Sequence, residues 1–266
     1  MILAAVTTYY WDATTLASPE LVVAQTILTG ARDGDVVAAF HLLLRSGERV
    51  PVAMAVAWFQ YAEAQARWGV DNPYEAAAAE VLERARWLLR FPPMPAADSG
   101  AVRDEADHAS ALLAMTNLAE AQDADLIADV IERSSEPEVL ANAAWAAGGP
   151  LEQADAPEPR LVEAIGRRAG DRTLDPRIRA ELLGALRFAD CERGAEIAMR
   201  LAEESDVEMQ VAAAQVLAAA HLATHRPVVE RLRASWPAGT IGVGNVDLLL
   251  EDQEDQEDLE NDLPRT

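Results

Sequence analysis

His221 and His225 lie four residues apart, the spacing that puts two imidazoles on one helix face, as a metal pair requires. A hydrolytic zinc helix also needs Glu directly after the first His. Here Leu222, Ala223 and Thr224 intervene, and Pro227 follows closely. The pair therefore reads as the polar end of a helix. Glu105-Ala-Asp-His108 has the Glu-x-x-His spacing of carboxylate-bridged di-iron bundles, which need a second copy and two further glutamates. No second copy exists in the chain, so an exposed helix face is expected. Cys191 is the sole cysteine, has no His beside it in sequence, and reads as a buried or half-buried thiol. No P-loop, dinucleotide fingerprint, nucleophile elbow or Cys-x-x-Cys occurs. The stretch Gly239–Asn245 (GTIGVGN) resembles a phosphate loop only superficially, since no following helix is expected to offer its N-terminus to an anion. No catalytic residue, metal ligand or cofactor is assigned.

Charge carries more information than these motifs. The formal net charge is −23, and all 22 basic residues are Arg. Residues 251–266 hold eight acids and one Arg, leaving −16 on the rest. Such a body repels phosphate backbones, so nucleic acid is not expected as a partner. The acidity serves either solubility or a partner with a basic surface. The absence of Lys fits a coding bias, or escape from a lysine-directed modification. One segment departs from this balance: Arg160 to Arg200 holds nine Arg against seven acids. Within it, Arg167, Arg168 and Arg172 cluster at a predicted helix end. Cations there meet the carbonyl dipole; alternatively, they dock a carboxylate, phosphate or acidic peptide through bidentate contacts.

A lone cysteine leaves no intrachain disulfide, which points to a reducing compartment, and the N-terminus shows no secretory signal. No apolar run is long enough to span a bilayer. A cytoplasmic protein without a membrane segment is the expectation.

The elements that must position these residues are helices. Alanine is abundant, aromatics make up only 5%, and strand signals are scarce. Only Met1–Trp11 could form a short strand or extended cap. Ser18-Pro19-Glu20 predicts a helix to about Thr29, Asp33-Gly34-Asp35 a second to about Ser46, and Pro51 a third to Trp68. A fourth runs from Tyr74 to Phe91. Three prolines among Phe91–Gly100 cannot remain helical, so a linker is placed at residues 92–100, between an N-terminal part (1–91) and a second part (101–236). A helix from about Val102 to Ala121 follows. Residues 237–266 are read as an irregular segment and a disordered or frayed acidic tail. Trp58, Trp68, Trp87 and Trp145 are assigned to core packing; Trp11 and Trp236 are candidate exposed anchors.

From Leu126 to His221 one unit recurs: a helix, a turn carrying an acid, and a second helix. The acids are Glu136, Asp175 and Asp206. Three residues later come Val139, Ile178 and Met209, followed by Ala143, Ala144 and Ala147; Leu182, Leu183 and Leu186; and Ala213, Ala214 and Leu217. That is one face of a helix, repeated at a spacing typical of stacked helix pairs. Predicted first helices lie near 124–133, 159–169 and 192–204, and a last helix at 227–236 covers the end.

The pattern resembles the second helix of HEAT repeats and their armadillo-like relatives, with Asp175-Pro-Arg-Ile178-Arg179 the nearest match. The resemblance implies an all-α superhelix of antiparallel helix pairs and a curved protein-binding face. It also implies a ladder of Asp–Arg pairs between units, interrupted here because Leu140 and Gln210 replace the Arg. The reading is a non-enzymatic scaffold, adaptor, inhibitor or immunity protein that binds a basic partner through its second helices. Arg179, Glu208 and Gln210 are its exposed contacts, with Arg167, Arg168, Arg172 and Trp236 as further partner-binding residues. Two alternatives are an enzyme or enzyme-assisting repeat protein (lyase-like or DNA-base-excising) and a subunit of a larger assembly.

Overall fold

Ser18, Asp35, Asp175 and Asp206 each cap a helix in the way their types predict. The Ser18 hydroxyl accepts from the Glu20 and Leu21 amides, and Asp35 from those of Val37 and Ala38. Asp175 accepts from Arg177, and Asp206 from Met209. The computed structural model describes residues 16, 18–96, 103–153, 157–189 and 191–250, and every regular element among them is helical. The expectations for Met1–Trp11 and for the acidic tail from residue 251 lie outside the described residues.

The chain divides into two compact units at Gly149/Pro150. The first contains α1 (Pro19–Leu28), α2 (Val36–Leu44), α3 (Arg49–Ala66), α4 (Ala78–Leu89), α5 (Ala106–Met115), α6 (Ala124–Arg133) and α7 (Pro137–Ala146). The short α8 (Gly148–Gln153) carries the division. The second unit contains α9 (Pro159–Ala169), α10 (Pro176–Ala185), α11 (Glu192–Leu201) and α12 (Val207–Ser235), with a further helix, α13, over residues 243–250.

In the first unit α1 packs on α2 and α2 on α3; α3 then meets both α4 and α5. From there the second helix of each pair lies on the next, α5 against α7, while α4 and α6 touch more lightly. In the second unit α10 lies along α12, α9 pairs with α10, and α11 pairs with α12. The repeated apolar positions explain this arrangement. Ala143, Ala144 and Ala147, Leu182, Leu183 and Leu186, and Ala213, Ala214 and Leu217 are each at most 2% exposed. Burying each leucine contributes roughly 1.5–3 kcal/mol. The alanines contribute less apiece but let backbones approach. At Gly166 that approach is so close that a Cβ would sit 2.6 Å from Ile197 Cδ1 and force the isoleucine side chain to move.

The Pro-rich stretch does not divide the molecule. Arg49 of α3 donates to the Pro92 carbonyl (2.7 Å) and pairs with Asp107, whose Oδ1 accepts the Met94 amide (3.0 Å). The Glu105 amide donates to the Met94 carbonyl (2.8 Å), and His108 Nε2 lies 3.1 Å from the Phe91 carbonyl. With Asp107 fully buried, these groups staple residues 91–96 to α3 and α5 inside one unit, so the linker expected at 92–100 is not where the chain divides. The same contacts correct the reading of Glu105 and His108 as an exposed face. His108 is 3% exposed, and Glu105, at φ +52°, precedes the helix and accepts from Ser134 instead.

The C-terminal end differs as well. The expected last helix at 227–236 begins earlier, because the break falls at His221 (φ −169°, ψ 83°) and helix resumes through Pro227 to Ser235. The break puts His221 outside regular helix geometry, so the two histidines no longer share a turn. Residues 243–250 are helical rather than irregular, and Asp247 binds Arg233 of α12 through both oxygens (2.6 and 3.0 Å). A helix therefore begins within the GTIGVGN stretch, at Val243. The turn into it requires Gly242, whose φ is +85° and whose Cβ would meet Val211 at 2.9 Å.

Candidate functional site

Two surfaces, one in each unit, gather unusual side chains. The first is the outward stripe of α7. Pro137 starts this helix, the Glu136 amide donates to Ser134 Oγ (3.1 Å), and Ser134 donates to Glu105 Oε2 (2.5 Å). Val139, Leu140, Ala143 and Ala144 are buried, and Asn142 donates to the Ala109 carbonyl of α5 (3.0 Å). The helix is thus fixed in rotation, and Glu138, Ala141 and Trp145 point away from the core. Trp145 is 50% exposed. An indole left this open in the last turn of a helix forgoes much of the burial that usually holds it in a core.

Carboxylates crowd the start of the same helix. Glu136 is held above the ordinary carboxylate range by partial burial and by the charges of Asp104, Glu105 and Glu138. Arg103, 3.6 Å from Glu138, is the cation recorded beside them. The local field is negative.

The second surface is a cleft of about 410 Å³ at the C-terminal ends of α9 and α11, lined by Gly166, Arg167, Gly170, Arg172, Arg200, Leu201, Glu203 and Glu204. Beneath it Arg179 reaches from α10 with its Nη2 on both oxygens of Glu204 (2.8 and 2.9 Å) and its Nε on the Ala169 carbonyl (2.8 Å). This contact with Arg179 holds the Glu204 carboxyl below its usual range. Arg172 lies 3.6 Å from the same carboxylate, and Glu203 binds Arg231 at 3.0 Å.

The predicted contacts are scattered by this geometry. Arg167 and Arg172 line the cleft, whereas Arg168 turns to Asp171 (3.0 Å). Arg179 is not exposed: at 5% exposure it joins α10 to the segment after α11, and its partner is Glu204 rather than a repeat Asp. Gln210 is half-buried, donating to the Glu204 carbonyl (2.8 Å) and accepting from Trp236 Nε1 (3.0 Å). Trp236, expected as an exposed anchor, is consequently buried at 7%. Only Glu208 is exposed as foreseen. Trp145 and Trp68 (85% exposed) reverse the expectation of core packing, whereas Trp11 lies outside the described residues.

Sequence reasoning missed Arg200, Glu204 and Trp145. A signal existed for Trp145, since it occupies a repeat position where the other copies carry Gly184 and Gln215. Among the described residues, no three His, Cys, Asp or Glu side chains gather as a metal site would need, and no helix is long and apolar enough to cross a membrane. The chain matches no family model, and neither curated proteins nor solved structures match it.

Proposed function

We propose that the chain is a non-enzymatic binding protein built of HEAT-like helix pairs, stacked as a solenoid, that docks a protein partner with a basic surface. The observation that carries this reading is the half-exposed Trp145 on a helix whose rotation is locked, with carboxylates gathered at its start. Aromatic anchors ringed by complementary charge are the usual energetic centre of a protein interface. The packing of α5 on α7 in one unit, and of α10 on α12 in the other, supports the solenoid, because within each unit second helices lie side by side. The net charge of −23 adds long-range attraction for a basic partner. Arg179, Gln210 and Trp236 are removed from the contact set by their burial, and Glu138, Ala141 and Trp145 replace them. The partner's compartment is taken to be the cytoplasm, where a single free cysteine persists reduced.

The test is affinity capture from a native lysate by the full chain, in parallel with Trp145→Ser and with the double variant Glu136→Gln, Glu138→Gln. The expected result is one stoichiometric protein of basic character, eluted by salt and lost with Trp145→Ser. Capture of no such protein, or capture indifferent to both variants, rejects the reading.

A further inference from the structure

The α9–α11 cleft carries a charge surplus that its own residues do not cancel. Both lining carboxylates are already engaged, Glu204 by Arg179 and Glu203 by Arg231. Arg172 is therefore a second guanidinium on a carboxylate that offers one charge, and it stays 80% exposed. Glu163, nearby on α9, is likewise claimed through both oxygens by Arg193 (2.6 and 3.3 Å), while Arg200 adds to the field on it. The carbonyl ends of two helices absorb part of this positive charge, each equivalent to roughly half an elementary charge. Arg172 and Arg200 together exceed that.

The cleft is also kept open where the fold does not require it. Gly170 has φ −78°, which any residue adopts, and a Cβ there would meet the Gly166 carbonyl at an ordinary 3.4 Å. A side chain would fit the helix end but would narrow the space between the arginines. About 410 Å³ takes a short run of carboxylate side chains rather than a folded domain.

We propose that this cleft binds an acidic peptide segment, and that the occupant is the chain's own acidic run, residues 251–266. Its eight acids against one Arg match the cleft in sign, and carboxylates match guanidinium forks in geometry. The run is tethered to the unit that holds the cleft. The Leu250 carbonyl accepts from Arg226 (3.3 Å), and α13 is tied to α12 by Arg233 and Asp247. Sixteen residues span up to about 55 Å, well beyond the radius of gyration of roughly 13 Å expected for a body of about a hundred residues. Tethering raises the effective concentration toward the millimolar range, so individually weak surface pairs suffice to fill the cleft. This site is independent of the α7 surface, and its test needs no partner.

The experiment titrates a fluorescently labelled peptide with the sequence of residues 251–266 into two full-length chains. One is native; the other has the eight acids of that run changed to their amides. At low salt the neutralised chain is expected to bind with a Kd on the order of tens of micromolar. The native chain should bind at least about tenfold more weakly, because its own run competes. In the neutralised chain, Arg172→Ser with Arg200→Ser, or Gly170→Leu alone, should abolish binding with helical content unchanged. Equal affinity in the native and neutralised chains overturns the proposal, as does binding unaffected by these substitutions. Inorganic phosphate binding as tightly as the peptide, with the same arginine dependence, also overturns it and makes the cleft a small-anion site.

Discussion

Each unit is pinned by one buried arginine, and the two differ in who outnumbers whom. Arg86 of α4 binds Asp123 through both oxygens (2.7 and 3.0 Å), Glu120 (2.6 Å) and Glu83 (2.7 Å). One guanidinium there meets three carboxylates. Glu120 and Asp123 cap each other's turn as well, so the same acids end one segment and start the next. Around Arg179 the ratio is inverted, with Arg172 joining it on the single carboxylate of Glu204. Both are devices for holding one helix pair against its neighbour. The first leaves negative charge over, in the unit that carries the acidic α7 surface. The second leaves positive charge over, beside the cleft. A protein of net charge −23 thus holds an acid-rich ion cluster in one unit and an arginine-rich one in the other.

The largest effects follow from breaking those pairs. Arg86→Met strands the buried Asp123, and Arg179→Met leaves the Ala169 carbonyl unpaired and Glu204 with only the more distant Arg172. Removing one partner of a buried pair costs about 3–5 kcal/mol, to be read as a shift in urea midpoint. Lys should rescue neither position: a single ammonium cannot reproduce the Nε/Nη2 fork of Arg86 on Asp123, nor can it hold Glu204 and the Ala169 carbonyl together as Arg179 does through Nη2 and Nε. Rescue of Arg86 by Lys, but not of Arg179, would show that the excess of acids matters more than the geometry.

Next in size is the shared apolar face. Leu140→Ala in the first unit and Leu182→Ala in the second remove fully buried side chains and should each cost about 2–5 kcal/mol in denaturant unfolding. A marked inequality between them would indicate that the alanine-lined layer around α7 collapses onto a void more readily than the leucine-lined layer around α10.

That face was readable beforehand because apolar periodicity is a local property of sequence. Val139, Met209 and the triads beyond them landed on the buried face as expected, whereas Ile178 is only half-buried. The helix starts at 124, 159 and 192 also match: Pro159 opens the second, while Cys191 caps the third by accepting from the Gly194 amide. Arg179 and Trp145 were misjudged for the converse reason. Whether a long polar or aromatic side chain on a helix is buried depends on what a distant segment brings to it, here Glu204, 25 residues on. His108 was misplaced because three prolines suggest a free linker, whereas Arg49 and Asp107, far from it in sequence, fasten that linker down.

Acid should separate the units by degrees. Burial, the largest influence, pushes His108 below the ordinary value of 6.5, against the pull of Asp107 and Glu105. The folded first unit therefore binds fewer protons than the unfolded chain, and its stability falls as pH drops below about 6.5. For Glu204 the folded value is depressed from 4.5, so the stability it confers on the second unit persists to near that pH and is lost below it. Hydrogen exchange at α5 should accelerate between pH 6.5 and 5 while exchange at α10 does not, after correction for the intrinsic pH dependence. His108→Gln should abolish that early phase. Equal pH responses in the two units would refute the assignment.

The smallest effect on stability belongs to the residue with most at stake in binding. Trp145 lies on the solvent side of α7, so Trp145→Ala removes half-exposed surface and creates no cavity. A change within about 0.5 kcal/mol is expected in denaturant unfolding. Arg172→Ala, exposed over the cleft, should be equally mild, because a guanidinium in solvent contributes little to an ion pair. The two variants then divide on function: loss of the captured protein with Trp145→Ala alone, and loss of the acidic peptide with the cleft arginines. If Trp145→Ala instead costs 2 kcal/mol or more, the indole is part of the fold, and the acidic surface loses its anchor.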